Sequence, residues 1–271
     1  MKIFNILLIA SLMTVSLGAQ STVNKSFQTQ GVTTLKGDFT WGDVSITNWN
    51  ENRIEISASV SINNGENDES FTIESNQSGS TLSIKTFIKN MDKLPKMVTV
   101  RHNGEKYTFK KGNNYKKQIE DLKKELGVDK FKNYNTGVDV DIQLSIKLPA
   151  GLKLELESTY GGINLDKCAN AMAIHNTYGS IKAVFDSQSK AANADLFSTY
   201  SYVDVSVPAN SNLDVVMHTN YGSLFTDMDI NIDKSASEEK AFYNKVVGKV
   251  NQGGSSLKLK ATYNNVYLRR I

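Results

Sequence analysis

The residues able to do chemistry are few, and their spacing tests each kind of site in turn. Two of the three histidines, His175 and His218, sit three residues before a tyrosine, with Phe197 at the same place in the copy between them. If successive copies stack like strands, these imidazoles lie two copies apart, about 9.6 Å at the Cα atoms, too far to share a metal unaided. Zinc needs three or four convergent ligands, so the pair reads as two outward-facing polar residues and no metal is expected. Four carboxylates, Asp166, Asp186, Asp204 and Asp227, follow successive copies and invite comparison with the acidic clusters of polysaccharide-cleaving β-helices. Their offsets from the preceding tyrosines are 6, 8, 4 and 6, so they occupy no common strand position and read as turn residues. The single cysteine, Cys168, has no internal disulfide partner and reads as a small buried apolar group. No nucleophile elbow, phosphate loop or cysteine-rich metal pattern occurs, so neither a catalytic residue nor a cofactor site is assigned.

The tyrosines themselves belong to a repeat. It runs Ser158-Thr159-Tyr160-Gly161, Asn176-Thr177-Tyr178-Gly179, Ser198-Thr199-Tyr200-Ser201, Thr219-Asn220-Tyr221-Gly222 and Ala261-Thr262-Tyr263-Asn264, with the tyrosines 18, 22, 21 and 42 residues apart. A period near 20 marks units too small to bury an apolar face alone, which must stack on one another. The 42-residue gap is two periods of 21 and implies a further copy between Tyr221 and Tyr263.

Positions four and six before each tyrosine are apolar, as in Leu154 and Leu156 or Leu257 and Leu259, and so nearly always are positions three and five after it, as in Ile163 and Leu165 or Val266 and Leu268. Each set alternates like a strand with one buried face. The offsets are even before the ring and odd after it, so the chain must turn between them if both sets enter one core. Glycine after three of the five tyrosines suits a corner with positive φ. Stacked corners would carry the aromatic side chains up one edge as a ladder of Trp41, Tyr160, Tyr178, Tyr200, Tyr221 and Tyr263. Trp41 joins because Leu35 to Ile46 fits the same template. Sugar rings could stack on such a ladder, although like side chains packing one above another are reason enough for it, and the structural role is favoured. Leu148-Pro149-Ala150-Gly151 and Val207-Pro208-Ala209-Asn210 mark matching breaks between strands, since proline cannot donate to a ladder.

Around this repeat the chain falls into recognisable parts. Met1-Lys2, the apolar run Ile3 to Leu17 and Gly18-Ala19 make residues 1–19 a secretory signal peptide, so the mature chain has no membrane span and lies in the periplasm, on the cell surface or outside the cell. Residues 20–271 form the repeat domain, opened by alternating segments at Ile54 to Ile62, Phe71 to Ile73 and Leu82 to Ile88. Residues 91–135 differ in texture. Asn103-Gly104 signals a type I′ hairpin, and Tyr115 to Leu126 carries Ile119, Leu122 and Leu126 on one helical face with Gly127 as a stop. Between Lys93 and Lys132 stand 12 Lys and Arg against 5 Asp and Glu, so this insertion is basic while the rest of the chain is slightly acidic. The net charge of +3 is too small to imply a nucleic-acid partner. Residues 234–250 read as loop then strand, supplying the missing copy, with a helix as the other option.

Gly42-Asp43-Val44-Ser45-Ile46 with Trp49 and Ile54-Glu55-Ile56, the recurring Thr-Tyr-Gly-x-Ile, and Gly253-Gly254 leading to Leu257-Lys258-Leu259 resemble a bacterial family of exported putative adhesins with β-strand repeats, a domain of unknown function. The resemblance covers most of the mature chain outside the insertion. It implies an all-β fold, a single elongated right-handed parallel β-solenoid near the cell surface, and it offers no catalytic residue. Tyr200-Ser201 and Tyr263-Asn264 depart from the family's glycine, so those corners are expected to differ. The expected function is that of a non-enzymatic structural or adhesive module whose partner is a surface glycan or another envelope protein. The alternatives are a carbohydrate-active β-helix enzyme using the aspartates, and an envelope assembly or stress partner docking through the basic insertion. Oligomeric state is not encoded in any of these features.

Overall fold

The computed structural model describes residues 20–185 and 193–271; the signal-peptide expectation at residues 1–19 and Asp186 lie outside them. Among the described residues the fold is nearly all β, with one α-helix. The chain opens with β1 (Ser21–Gln28), β2 (Thr34–Phe39), β3 (Asp43–Trp49), β4 (Arg53–Ile62), β5 (Phe71–Ser78) and β6 (Thr81–Ile88). The next segment contributes β7 (Met97–His102), β8 (Glu105–Lys110), α1 (Tyr115–Leu126) and β9 (Asn133–Gly137). β10 (Val140–Pro149) leads into the repeats: β11 (Lys153–Ser158) and β12 (Ile163–Asp166), β13 (Met172–Asn176) and β14 (Ile181–Val184), β15 (Ala194–Ser198) and β16 (Val203–Val207), β17 (Leu213–Thr219) and β18 (Leu224–Thr226). β19 (Ile230–Ile232), β20 (Glu238–Lys240) and β21 (Tyr243–Val250) follow, and β22 (Ser255–Ala261) and β23 (Val266–Arg270) complete the set.

Each repeat delivers its strand before the aromatic residue to one sheet and its strand after it to a second. The eleven-stranded sheet runs β19-β21-β17-β22-β15-β13-β11-β2-β6-β5, with β20 beside β21, and the nine-stranded sheet runs β1-β4-β10-β3-β12-β14-β16-β23-β18. In-register parallel pairs align equivalent apolar positions, such as Leu154 with Met172 and Leu35, and Ile163 with Ile181 and Val44. The aliphatic side chains of both sheets meet between them in one continuous core. The turn between the two sets is therefore present, and Leu154, Leu156, Ile163 and Leu165 are all buried.

Two expectations need correction. The strands are not parallel throughout: β1 with β4, β4 with β10, β5 with β6 and β17 with β21 pair antiparallel, so both sheets are mixed. The stack also departs from chain order. Residues 234–250 include strands, but β21 lies antiparallel on the outer side of β17 and supplies no copy between Tyr221 and Tyr263. Instead the last repeat inserts: β22 pairs with both β15 and β17, and β23 with both β16 and β18.

Residues 97–137 make a separate three-stranded sheet, β8-β7-β9. Asn103 and Gly104 turn its hairpin with φ of 49° and 87°, the pair of positive values that a type I′ turn requires. Ile119 and Leu122 are the buried face of α1, and Gly127 ends the helix at φ 65° with its amide on the carbonyls of Lys123 and Lys124. No helix among the described residues is long and apolar enough to cross a membrane.

Candidate functional site

The six aromatic residues come together along the corner between the two sheets. Trp41 stacks on Tyr160 with ring centroids 4.3 Å apart; Tyr160 on Tyr178 at 5.3 Å, Tyr178 on Tyr200 at 5.0 Å, Tyr200 on Tyr263 at 5.1 Å and Tyr263 on Tyr221 at 5.2 Å continue the row. Tyr263 thus stands before Tyr221, as the inserted repeat demands, and Phe242 from the loop before β21 packs beyond Tyr221 at 5.6 Å. Each tyrosine in the row is about half exposed, between 49% and 59%, so the ring edges form a strip open to solvent.

The glycines that follow tyrosines serve a purpose other than positive φ, unlike Gly42 after Trp41, whose φ is 97°. None of Gly161, Gly179 and Gly222 has positive φ. A Cβ at Gly161 would lie 1.7 Å from the Gly42 carbonyl oxygen, at Gly179 2.0 Å from that of Gly161, and at Gly222 2.1 Å from that of Asn264. Glycine is needed at these three corners because each presses its backbone onto the neighbouring repeat, whereas Ser201 and Asn264 carry side chains at the same place.

A second row runs along the outer face of the eleven-stranded sheet. His175 stacks on Phe197 at 4.6 Å, Lys260 lies over Phe197 at 4.5 Å, and the register places His218 beside Lys260. The two histidines are therefore separated by Phe197 and Lys260, three strand steps rather than two. No cluster of three or more His, Cys, Asp or Glu residues able to hold a metal occurs among the described residues. The carboxylates are likewise dispersed. Asp166 ends β12, Asp204 lies on β16 in an ion pair with Arg269 (Nε to Oδ1 2.7 Å), and Asp227 accepts from the Arg270 amide at 2.7 Å. Register aligns Asp204 with Lys182, and Asp166 with Val184, two residues further along β14.

The ladder ends at a groove. Trp41 lines a 610 Å³ cleft together with residues of β7, β8 and β9 and the start of β10, among them Arg101, Lys106, Lys132 and Asp141. Lys106 is tied to Asp139 (Nζ to Oδ2 2.6 Å).

Residues 130–267 match the family model described as Toastrack DUF4097. The chain belongs to the Toastrack DUF4097 family. A crystal structure of a putative cell adhesion protein from Clostridium sporogenes ATCC 15579 is similar in fold, with a TM-score of 0.55 at 11% identity over 93% of this chain and 100% of that one. A putative adhesin from Bacteroides fragilis NCTC 9343 aligns over 94% of this chain and 99% of its own at 7% identity, with a TM-score of 0.23. A comparison with curated proteins finds no match.

The Toastrack match begins after the first aromatic repeat, yet that repeat joins the two sheets through β2 and β3. Sequence reasoning missed a further row in this Toastrack chain, two residues before four of the six rings, with Phe39 and Ala261 at that place before Trp41 and Tyr263. Ser158, Asn176, Ser198 and Thr219 are all buried there. Ser158 donates to the Gly161 carbonyl at 3.2 Å, Asn176 to the same oxygen at 2.6 Å, Ser198 to that of Gly179 at 2.9 Å, and Thr219 to that of Asn264 at 2.7 Å. Asn176 also accepts from the Gly179 amide at 2.9 Å, and Ser198 from that of Ser201 at 3.1 Å. Buried backbone groups left without partners are costly, so this row is what lets the corner turn inside the core. A recurring small polar residue at one fixed offset was the available signal.

Cys168 is fully buried against the Ile46 carbonyl, and burial, with Asp166 nearby, pushes its thiol up to about 12. It stays protonated and unreactive at neutral pH. Burial first, then Lys260 and Lys245 on the strands to either side, hold the His218 imidazole below the usual 6.5. Its Nε2 is buried without a hydrogen-bond partner among the described residues, and the ring packs on Tyr243 at 4.7 Å. The folded protein therefore binds this proton less readily than the unfolded chain. The His218 contribution to stability is fully present above the usual imidazole value and declines as pH falls below it. Thermal melts from pH 7.5 down to 5.5 should show a fall in Tm that His218→Phe reduces.

Proposed function

We propose that this chain is an exported, non-enzymatic module of the periplasm or cell surface that adheres to a surface glycan. In this reading residues 1–19 are a cleaved signal peptide, residues 20–271 form a right-handed β-solenoid closed at either end by antiparallel strands, and residues 91–135 are an insertion in it. The observation that carries the reading is the strip of stacked rings from the partly buried Trp41 through five half-exposed tyrosines to Tyr221, a row of flat apolar edges spaced at strand intervals. Such a strip offers contact area to a polymer of rings with little entropy to lose, because the rings already hold one another. The dispersal of Asp166, Asp204 and Asp227 favours binding over hydrolysis, which needs two carboxyl groups facing one bond.

Glycan arrays and binding to whole bacterial and host cells test the proposal. The purified protein should bind in at least one format, and Tyr178→Leu with Tyr200→Leu should weaken binding by about tenfold, since an aromatic stack contributes about 0.5–1.5 kcal/mol. Blank results in both formats would overturn it.

A further inference from the structure

The groove at the Trp41 end of the ladder combines features that the rest of the strip lacks. One face of the Trp41 ring is taken by Tyr160, and the residue also lines the cleft, so a ligand ring placed there would extend the stack by one member. The other wall is one face of the three-stranded sheet. Its register sets Arg101 beside Asn133 on one side and Lys106 on the other, and Thr99 beside Asn135. Strand alternation sends all five to the same face, opposite Val98 and Val100, which are buried. That face lines the groove.

The charges there are unequally committed. Lys106 is neutralised by Asp139, whereas Arg101 and Lys132 have no ion-pair partner among the described residues. One carboxylate, Asp141, lines the same space and has no ion-pair partner among the described residues. The surrounding insertion is strongly basic, which raises the local concentration of anions. Arg presents a planar fork matched to a carboxylate, the asparagine amides and Asp141 can exchange hydrogen bonds with hydroxyls, and the indole offers a flat apolar face.

We infer that this groove binds an acidic sugar, a uronic-acid type residue of a glycan, with its ring on Trp41 and its carboxylate on Arg101. The inference rests on the reading of the chain as a glycan binder and adds the chemical class of the sugar and the place where it docks. A neutral sugar would leave Arg101 and Lys132 offset only by Asp141, a net positive charge, and an acidic peptide would leave the indole face unused.

The chain has two tryptophans, Trp41 and Trp49, so Trp49→Phe leaves Trp41 as the only indole reporter. In that background, titration with trigalacturonate should give a saturable change in emission, while maltotriose and hexaglutamate give none. Arg101→Gln should weaken the response at least tenfold and Lys132→Gln severalfold, with melting temperatures unchanged. Lys258→Gln, an exposed lysine on β22 away from the groove, should leave it intact. An equal response to hexaglutamate would show attraction of charge alone and overturn the sugar assignment. No response to trigalacturonate from a protein that binds other glycans on the array would overturn this site while leaving adhesion standing. Blanks in both would remove the two readings together.

Discussion

Replacing Gly179 by alanine should destabilise the fold by about 3 kcal/mol or more, at the upper end of what overpacking costs. The added methyl would sit 2.0 Å from the Gly161 carbonyl oxygen, 2.5 Å from its carbon and 2.7 Å from Asn176 Nδ2. That carbonyl cannot swing aside, because it accepts from Asn176 at 2.6 Å and from Ser158 at 3.2 Å inside the core. Relief requires either separating two coils or leaving a buried acceptor unpaired, and each costs about 1–3 kcal/mol. Against a total stability of about 5–15 kcal/mol this is a large fraction. Gly137→Ala is the matched control: its Cβ meets nothing within 4 Å and its φ is not positive, so it should shift stability by no more than about 0.5 kcal/mol. Urea melts of the two variants compare them directly. Equal midpoints would mean that coil-to-coil approach is not what excludes a side chain at Gly179.

The same corner explains how far the sequence could be read. The apolar offsets around each ring repeat because the repeats bury the same positions, the edge strand β18 excepted, and the turn between even and odd offsets follows from them. Spacing alone also placed the aromatic residues at equivalent points, Trp41 included. What the corner demands of its glycine was hidden, since close approach and positive φ leave the same residue in the sequence. The buried Ser158, Asn176, Ser198 and Thr219 were hidden for a related reason: they are polar, and a search for apolar alternation passes over them.

Strand order was out of reach on different grounds. Leu257 and Leu259 present the same pattern as Leu154 and Leu156, so they fit beside Leu196 or Met217 equally well, and in the fold they do both. A gap of two periods between Tyr221 and Tyr263 suggests a missing copy, whereas the segment between them goes out to cover the far side of β17 and returns. Nothing local distinguishes those paths, because the choice depends on which edge is still open when the last repeat arrives. The groove was obscure for the same cause: Trp41 and Arg101 are far apart in sequence, and only the docking of the small sheet makes them neighbours.

Insertion of the last repeat has a measurable consequence at Leu259. A final repeat stacked in chain order would be an end rung, free to fray when weakened. Here Leu259 is 1% exposed and pairs with Leu196 on one side and Met217 on the other. Both neighbouring strands are hydrogen-bonded on their far edges too, to β13 and β21, so the walls of a cavity at this position cannot close. Leu259→Ala should therefore cost about 4 kcal/mol, near the top of the 2–5 kcal/mol range for such truncations, where sites that collapse fall near the bottom. Hydrogen exchange separates the two arrangements: amide protection should drop in β15 and in β17 together. Loss confined to β22 and β23, with β15 still protected to the wild-type level, would mean that the last repeat is a terminal rung and that the order Tyr200, Tyr263, Tyr221 is wrong.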